Sequence, residues 1–379
     1  MTRQPTVADV VAAVHRRYDP ARAESWDAVG LVCGDPDAPV RRIHFAVDAC
    51  DAVVEEALAA GADLLITHHP LLLTPVTSVA ATTPAGRILH RLIAGGCALL
   101  AAHTNADVAA DGVSDALAEA LGVLDVAPLV PLDETSLDTL VTFVPPSDLE
   151  PLLAALAAAG AGRLGDYDSC SAVVEPVTGR FRPLDGANPT IGVVGELTTV
   201  VEARVEVSFA RSDRDAVLRA LRAAHPYEQP AFHLLEQAPS PGRTGLGRVG
   251  SLAEPTTLRA FAERVAAALP ATAHGVRVAG DLDQPVRRVA VCGGSGSDVL
   301  PVAAAVGADV VVTADLKHHV TQDHLSAGGC AVVDVAHWAS EWPWLPRARS
   351  LLVADLAAVG ATVDTHVSVL VTDPWTARL

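Results

Sequence analysis

Short apolar blocks of strand type recur along the chain, with stretches of helical spacing between them. Residues 6–18 place apolar side chains three and four apart and predict an amphipathic helix. Arg42–Asp48 (RIHFAVD) predicts a strand that ends in an acid, and Asp51 is placed to cap a helix running to about Ala60. After Gly61 comes Ala62–Leu73 (ADLLITHHPLLL), an apolar run that stops at His68, His69 and Pro70. A helix over 84–95 precedes the strand 97–103, which gives way to His103, Asn105 and Asp107. Gly112 and Ser114 open a further helix, with Ser114 as its candidate N-cap. Strand, helix and strand joined by short links predict a parallel sheet.

The pattern changes around 125–137, where two prolines break any period, and a boundary is placed near 130. Beyond it, Leu137–Val144 predicts a strand, and Ser147 caps a helix through Ala159. Asp168–Glu175 and Gly179–Pro183 pair as a hairpin, and Glu202–Phe209 alternates as a strand. Asp213–Ala224 is helical, and residues 225–237 form an edge strand with prolines. Strand–helix–strand repeated twice predicts a ferredoxin-like α+β module. Ser240–Leu252, rich in Gly and Pro, is read as the return link. A helix at 255–268 and strands at 275–280, 287–292 and 331–335 follow. GADVVVT at 307–313 mirrors GADLLIT at 61–67, and each is followed by polar residues with histidine. The fold class is therefore α/β. Two similar halves, 1–130 and 241–379, face a shared cleft, and 131–240 is inserted between them. Duplicates of this kind build a pseudo-symmetric pair with a site between them.

Composition narrows the function classes. Half of the 379 residues are hydrophobic and mean hydropathy is +0.32. No apolar run reaches the roughly 18 residues of a membrane span, and the amino terminus lacks a signal-peptide core. The expected location is the cytoplasm. The formal charge of −18 repels phosphate backbones and argues against a nucleic-acid partner. Six dispersed cysteines, with no CxxC, fit reduced apolar positions.

The chemistry collects where strands stop, which is where ligands sit in α/β sheets. His68 and His69 can turn two imidazoles toward one point. Asp107 follows the next strand, either as a ligand or as a turn residue. His337 and Glu341 stand four apart at a helix start near Ala336, which puts both on one face. His68, His69, Asp107, His337 and Glu341 together suit two divalent metal ions, and Zn, Fe, Mn and Co all accept such nitrogen and oxygen donors. Two ions roughly 3.5–4 Å apart would activate a bridging water for hydrolysis. The loop 293–300 (GGSGSDVL) offers Gly293, Gly294 and Ser295 either as a phosphate cradle or as a tight turn. His225, Tyr227 and Glu228 form a polar trio that reads mainly as turn chemistry.

ESWDAVGL, ITHHP, HTNAD, GGSGSD, TADLKHH and HWASE, in that order, resemble the motifs of the Nif-three-like family, the dinuclear-metal hexameric proteins whose members carry the name GTP cyclohydrolase 1 type 2 homologue. They cover both flanking halves. YDSCS and HPYEQPAF make the middle module similar to the PII- and CutA-type insert of the long bacterial members. The resemblance implies that the five ligands above bind two metals between two similar α/β domains. It also implies a toroidal homohexamer with its sites facing an inner cavity. Ala314, His318 and Val335 depart from the family pattern without removing a ligand, and His318 adds an imidazole. His103 and His319 match the family motif, either as proton shuttles behind the ligands or as structural histidines. The activity implied is metal-dependent hydrolysis of a small molecule, with GTP or a related nucleotide as substrate. The alternative is a non-catalytic metal-binding, metal-delivery or regulatory protein.

Overall fold

The computed structural model describes residues 3–133, 136–165, 167–238 and 241–379. They form two compact units, Met1–Leu132 with Gly242–Leu379, and Asp133–Pro241.

The first unit opens on the helix Val7–Arg17. Thr6 lies just outside it and closes a reciprocal cap with Asp9: the Asp9 amide donates to Thr6 Oγ1 (3.2 Å) and the Thr6 amide to Asp9 Oδ2 (2.9 Å). Its stripe of Val7, Val10, Ala13 and Val14 is buried. Strands β1 (Gly30–Cys33), β2 (Arg42–Ala46), β3 (Leu64–Thr67) and β4 (Ala98–Ala101) follow. β2, β3 and β4 are parallel, with Ile43 opposite Leu64 and Leu64 opposite Ala98, while β1 runs antiparallel to β4. All four residues of β3 are buried because both sheet faces are covered. Leu64 and Ile66 enter the main core, and Leu65 packs with Val53, Val54, Ile88 and Leu92 on the other side.

Three expected caps differ. Ser147 lies inside the short turn Pro146–Asp148, and Asp148 is the N-cap of the helix Leu149–Ala158. The helix Asp51–Ala59 is preceded by Cys50 at its N-cap, so Asp51 is its first helical residue rather than its cap. The helix Val113–Ala120 is capped at Gly112, whose amide donates to Asp115. Ser114 is already inside that helix and buried, and its hydroxyl faces the Gly293 amide at 3.4 Å.

β5 (Leu124–Asp133) leads out of this unit. The second unit holds β6 (Leu137–Val144), β7 (Ala172–Phe181), β8 (Thr198–Ala210) and β9 (Phe232–Glu236) in the antiparallel order β7-β8-β6-β9. The helices Leu149–Ala158 and Arg214–Ala224 supply Leu152, Leu156, Val217 and Leu221 to its core. The hairpin expected within 168–183 is instead one strand, β7, paired with β8. Its register shifts between Val174 and Val177, where Pro176 interrupts the ladder, and that interruption mimicked a turn.

The chain re-enters the first unit through β10 (Pro241–Thr257), then β11 (Arg277–Ala279), β12 (Pro285–Ser295), β13 (Val310–Ala314) and β14 (Ala331–Val335). The second sheet has the order β11-β14-β13-β12-β10-β5, with β12, β13 and β14 parallel. β15 (Asp364–Val367) returns to the open edge of the first sheet beside β2. The glycine-rich segment read as a link is therefore a strand. Its glycines permit a close crossing: a Cβ at Gly250 would lie 2.4 Å from the Leu124 carbonyl oxygen. β5, with Pro128 and Pro131, occupies the sheet edge, where a missing amide is tolerated. Among the described residues no helix is long and apolar enough to cross a membrane.

Arg248 of β10 ties this sheet to the helix Val113–Ala120. It is 2% exposed. It donates to Asp115 through Nε (2.9 Å) and Nη2 (2.7 Å), and to the carbonyls of Gly245, Gly247 and Ala109. Removing one partner of such a buried pair strands the other. Asp115→Ala is expected to cost about 3–5 kcal/mol, read as a lower midpoint in urea unfolding; an unchanged midpoint would show that the carbonyls alone hold the guanidinium.

Candidate metal centre

Three parallel strands release their polar ends toward one point. After β3 the chain stays beside β2, with the His68 and His69 amides donating to Ala46 O (3.2 Å) and Val47 O (2.9 Å). That backbone tie lets two successive residues present both rings. β4 runs into the helix Thr104–Val108, which carries Asp107 in its first turn and has His103 at its N-cap. β14 runs into the helix His337–Glu341, whose N-cap is Ala336. His337 and Glu341 thus lie one turn apart on one face, and Nε2 and Oε1 are 2.9 Å apart.

The Glu341 carboxylate is the hub. Its Oε1 is 3.4 Å from His68 Nε2, and its Oε2 is 3.1 Å from His69 Nε2. Asp107 Oδ1 lies 3.6 Å from His68 Nε2. The five residues singled out in the sequence as ligands are therefore brought together. His103 joins them, its ring centroid 5.2 Å from His68 and 5.5 Å from His69. His319 does not: it is exposed on the helix His318–Ser326, edge-on to the equally exposed His318. Asn105 turns inward, bonding the His103 amide and the Tyr18 carbonyl.

Each imidazole is oriented from behind. His68 Nδ1 meets the Ala102 carbonyl (2.9 Å), which can only accept, so Nδ1 carries the hydrogen. His69 Nδ1 meets Asp48 (2.7 Å), His103 Nδ1 meets Asp27 (2.9 Å), and His337 Nδ1 meets Asp315 (2.6 Å). Four Nε2 atoms are thereby turned to the interior, as metal-binding histidines require. Asp27, Asp48 and Asp315 escaped the reading of ligands in the sequence. The available signal was position, since Asp315 directly follows β13 and Asp48 stands two residues beyond the end of β2.

Burial and neighbouring charges shift the ionisable groups of the cluster. Burial opposes ionisation of Glu341, yet His68, His69 and His337 hold its carboxyl well below the usual range. Burial pushes Asp107 up to about 6, against the pull of His68. Burial also disfavours the imidazolium of His69, but Glu341 and Asp48 raise it to about 11, and Glu341 likewise raises His337 to about 9. Burial, with His68 close by, lowers His103. His68 Nε2, Asp107 Oδ1 and Glu341 Oε2 are buried without a well-formed hydrogen bond. Orphaned inward donors of this type fit a divalent ion. His69, His337 and Glu341 offer donor atoms within 4.8 Å of one another, as do His68, His69 and His103.

Gly293 and Gly294 serve the cluster at close range. Gly294 has φ +67°, and a Cβ there would lie 2.6 Å from Glu341 Oε1 and 3.2 Å from His337 Nε2. Its amide donates to Ser340 Oγ at 2.8 Å. Ser295 is exposed at the end of β12. A cleft of about 260 Å³ bordered by Asp48, His69, Asp315, His337, Asp373 and Trp375 opens onto the cluster. Elsewhere, His225 serves its turn, with Nδ1 accepting from the Tyr227 amide (3.1 Å) and Nε2 facing the Phe143 carbonyl (2.9 Å). Glu228 accepts from the Asn188 amide.

These features define an α/β protein with a buried histidine–carboxylate cluster at the carboxyl ends of its parallel strands. Residues 5–374 match the family described as Duf34/NIF3 (NGG1p interacting factor 3). The chain belongs to that family. It is 50% identical over 370 residues to the Mycobacterium tuberculosis protein named GTP cyclohydrolase 1 type 2 homolog, covering 97% of this chain and 96% of the relative. The Bacillus subtilis protein of the same name is 40% identical over 321 residues, covering 85% of each. Among solved structures, a Bacillus cereus protein related to NIF3 matches with TM-score 0.74 and 36% identity over 99% of both chains. A Staphylococcus aureus protein matches with TM-score 0.83 and 28% identity, also over 99% of both.

Two outcomes test the cluster. Asp48→Ala, which frees His69 from its orienting acid, is expected to weaken metal affinity about 10–100-fold, measured by competition with a chromophoric chelator. Ion uptake near pH 7.5 is expected to release protons, because His69 and His337 stay protonated up to about 11 and 9 without it. Calorimetric titration in two buffers of different ionisation enthalpy reads that release, and equal heats would show that the rings are already neutral.

Proposed function

We propose that His68, His69, Asp107, His337 and Glu341 would hold two divalent ions, and that the protein is a metal-dependent hydrolase of small molecules, a nucleotide such as GTP among them. The observation that carries this reading is the convergence in one cluster of His68 Nε2, Asp107 Oδ1 and Glu341 Oε2, three buried atoms without a well-formed hydrogen bond. Ions bound there would supply Lewis acidity and an activated water, as paired metals do in hydrolytic sites. The names carried by the Mycobacterium and Bacillus relatives point to GTP as the first substrate to try.

The chain's own groups have definable parts in that chemistry. Asp48, Asp315 and the Ala102 carbonyl fix the rings of His69, His337 and His68. Asp27 fixes His103, whose neutral imidazole borders the cluster and is placed to accept a proton from water. Trp344 lies tilted against His68, with ring centroids 5.4 Å apart, and Trp26 stands edge-on to His103 at 6.0 Å; both cover the imidazoles. The cleft beside His337 and Asp373 gives a small substrate access.

One observation favours the second reading, a protein that binds or delivers metal without turnover. The glycine loop proposed to hold phosphate has its Gly294 amide engaged by Ser340, and the Gly293 amide faces Ser114. A cytoplasmic homohexamer, implied by the family resemblance, belongs to both readings, and light scattering measures its mass.

Metal content and GTP turnover measured on the same sample, wild type against Glu341→Ala, decide between the readings. Two ions per chain that depend on Glu341, with turnover lost in the variant, supports the hydrolase. Two such ions with no turnover on GTP or other nucleotides moves the assignment to metal handling. No Glu341-dependent ion after reconstitution overturns the centre itself.

A further inference from the structure

A second group of metal-ligating side chains lies away from the centre, where β15 closes the edge of the first sheet. His44 on β2 and His366 on β15 are directly opposite one another in the parallel register. Opposed residues in a ladder project to the same face, and their rings stand 4.8 Å apart at 34°. Glu56, from the last turns of the helix Asp51–Ala59, reaches over that face. Its Oε2 is 3.0 Å from His44 Nε2 and its Oε1 is 3.7 Å from His366 Nε2. One donor atom from each residue falls within 4.8 Å of the other two. Among the described residues this is the one such trio that shares no residue with the candidate centre.

The distances suit an ion. Tetrahedral Zn-type bonds of about 2.0–2.2 Å put neighbouring donor atoms roughly 3.4 Å apart, and 3.0 and 3.7 Å lie on either side of that value. The Glu56 carboxylate is oriented from behind, since the Ser368 hydroxyl donates to Oε2 at 2.6 Å and itself accepts from the Leu370 amide at 3.2 Å. His44 is fully buried and His366 is half exposed, so the trio has a rigid floor and an open entrance. His44 Nδ1 is buried without a partner, so what His44 binds is decided at Nε2 alone.

We propose that His44, Glu56 and His366 form a separate site for a Zn²⁺-class divalent ion, with water completing the coordination. The ion clamps β15 onto the sheet. Only four residues long, β15 is an edge strand held by a single ladder, so one ion contributes a large share of its attachment. The clamp has a reach beyond the strand. The segment following β15 hydrogen-bonds Trp342 through the Ser368 carbonyl (2.9 Å), and its Thr372 hydroxyl bonds Asp48, which orients His69. The proposal rests on these residues alone and stands whether or not the centre is catalytic.

The full-length protein, reconstituted with Zn²⁺ and gel-filtered, is analysed for metal per chain beside His366→Ala, Glu56→Gln and His68→Ala. His366→Ala and Glu56→Gln are each expected to lose one ion per chain while keeping the ions of the centre. His68→Ala is expected to lose ions of the centre and keep this one. Co²⁺ substitution gives a second readout, an absorption band that disappears in His366→Ala alone of the two histidine variants. Because His366 is half exposed, that variant is expected to fold, and its circular dichroism checks this. An unchanged ion count in both His366→Ala and Glu56→Gln, or an ion held only at millimolar Zn²⁺, overturns the site and leaves the trio a hydrogen-bonded pair with a stacked neighbour.

Discussion

Everything in the first unit is arranged around one electrostatic demand, a carboxylate placed at 3% exposure among imidazoles. A charge so deeply buried is tolerated only where positive partners surround it and are themselves held in place. Glu341 has those partners from both sheets. β3 contributes His68 and His69, and the helix after β14 contributes His337. The rings are fixed in turn by Asp48, Asp315 and a backbone carbonyl. Neither sheet carries the full set, so the shared core of Ile43, Leu64, Leu100, Val291, Val312 and Val333 is also what keeps the donor atoms within reach.

Much of this was legible in the chain. Periodicity located β2, β3, β4, β13 and β14, because buried parallel strands are continuous apolar runs with few alternatives. His68 and His69 were legible because a polar residue directly after such a run has one place to go, the carboxyl edge of the sheet; Asp107, His337 and Glu341 were legible because they stand on the short segments that follow the next such runs. The supporting acids were not. Asp27 precedes β1 by three residues and meets His103 across 76 positions, a pairing that no local pattern encodes.

The misreadings share a physical cause. Gly and Pro punctuate turns, but they also occur where strands cross closely or run along an edge. Residues 240–252 therefore read as a linker and the stretch around 125–137 as a boundary, where the chain forms β10 (Pro241–Thr257) and β5 (Leu124–Asp133). Pro176 within β7 looked like the end of a strand for the same reason. Caps were misplaced by one or two residues because Asp51 and Ser114 satisfy the composition rule one step inside the helix. His319 has the right identity beside a strand end, yet its helix carries it to the surface.

The crossing of β5 and β10 has a consequence for how this architecture can change. The two strands are neighbours in one sheet, and they run antiparallel: Gly245 approaches Val130 and Pro131, whereas Gly250 approaches Leu124 and Val126. In chain order the unit Asp133–Pro241 is inserted between these two strands, as a loop is between the strands of a hairpin. A lineage can lengthen, exchange or excise whatever hangs from such a ribbon without disturbing the scaffold beneath it. The candidate ligands flank that junction in sequence, His68, His69 and Asp107 before β5 and His337 and Glu341 after β10, so the centre is free to stay constant while the appended module drifts.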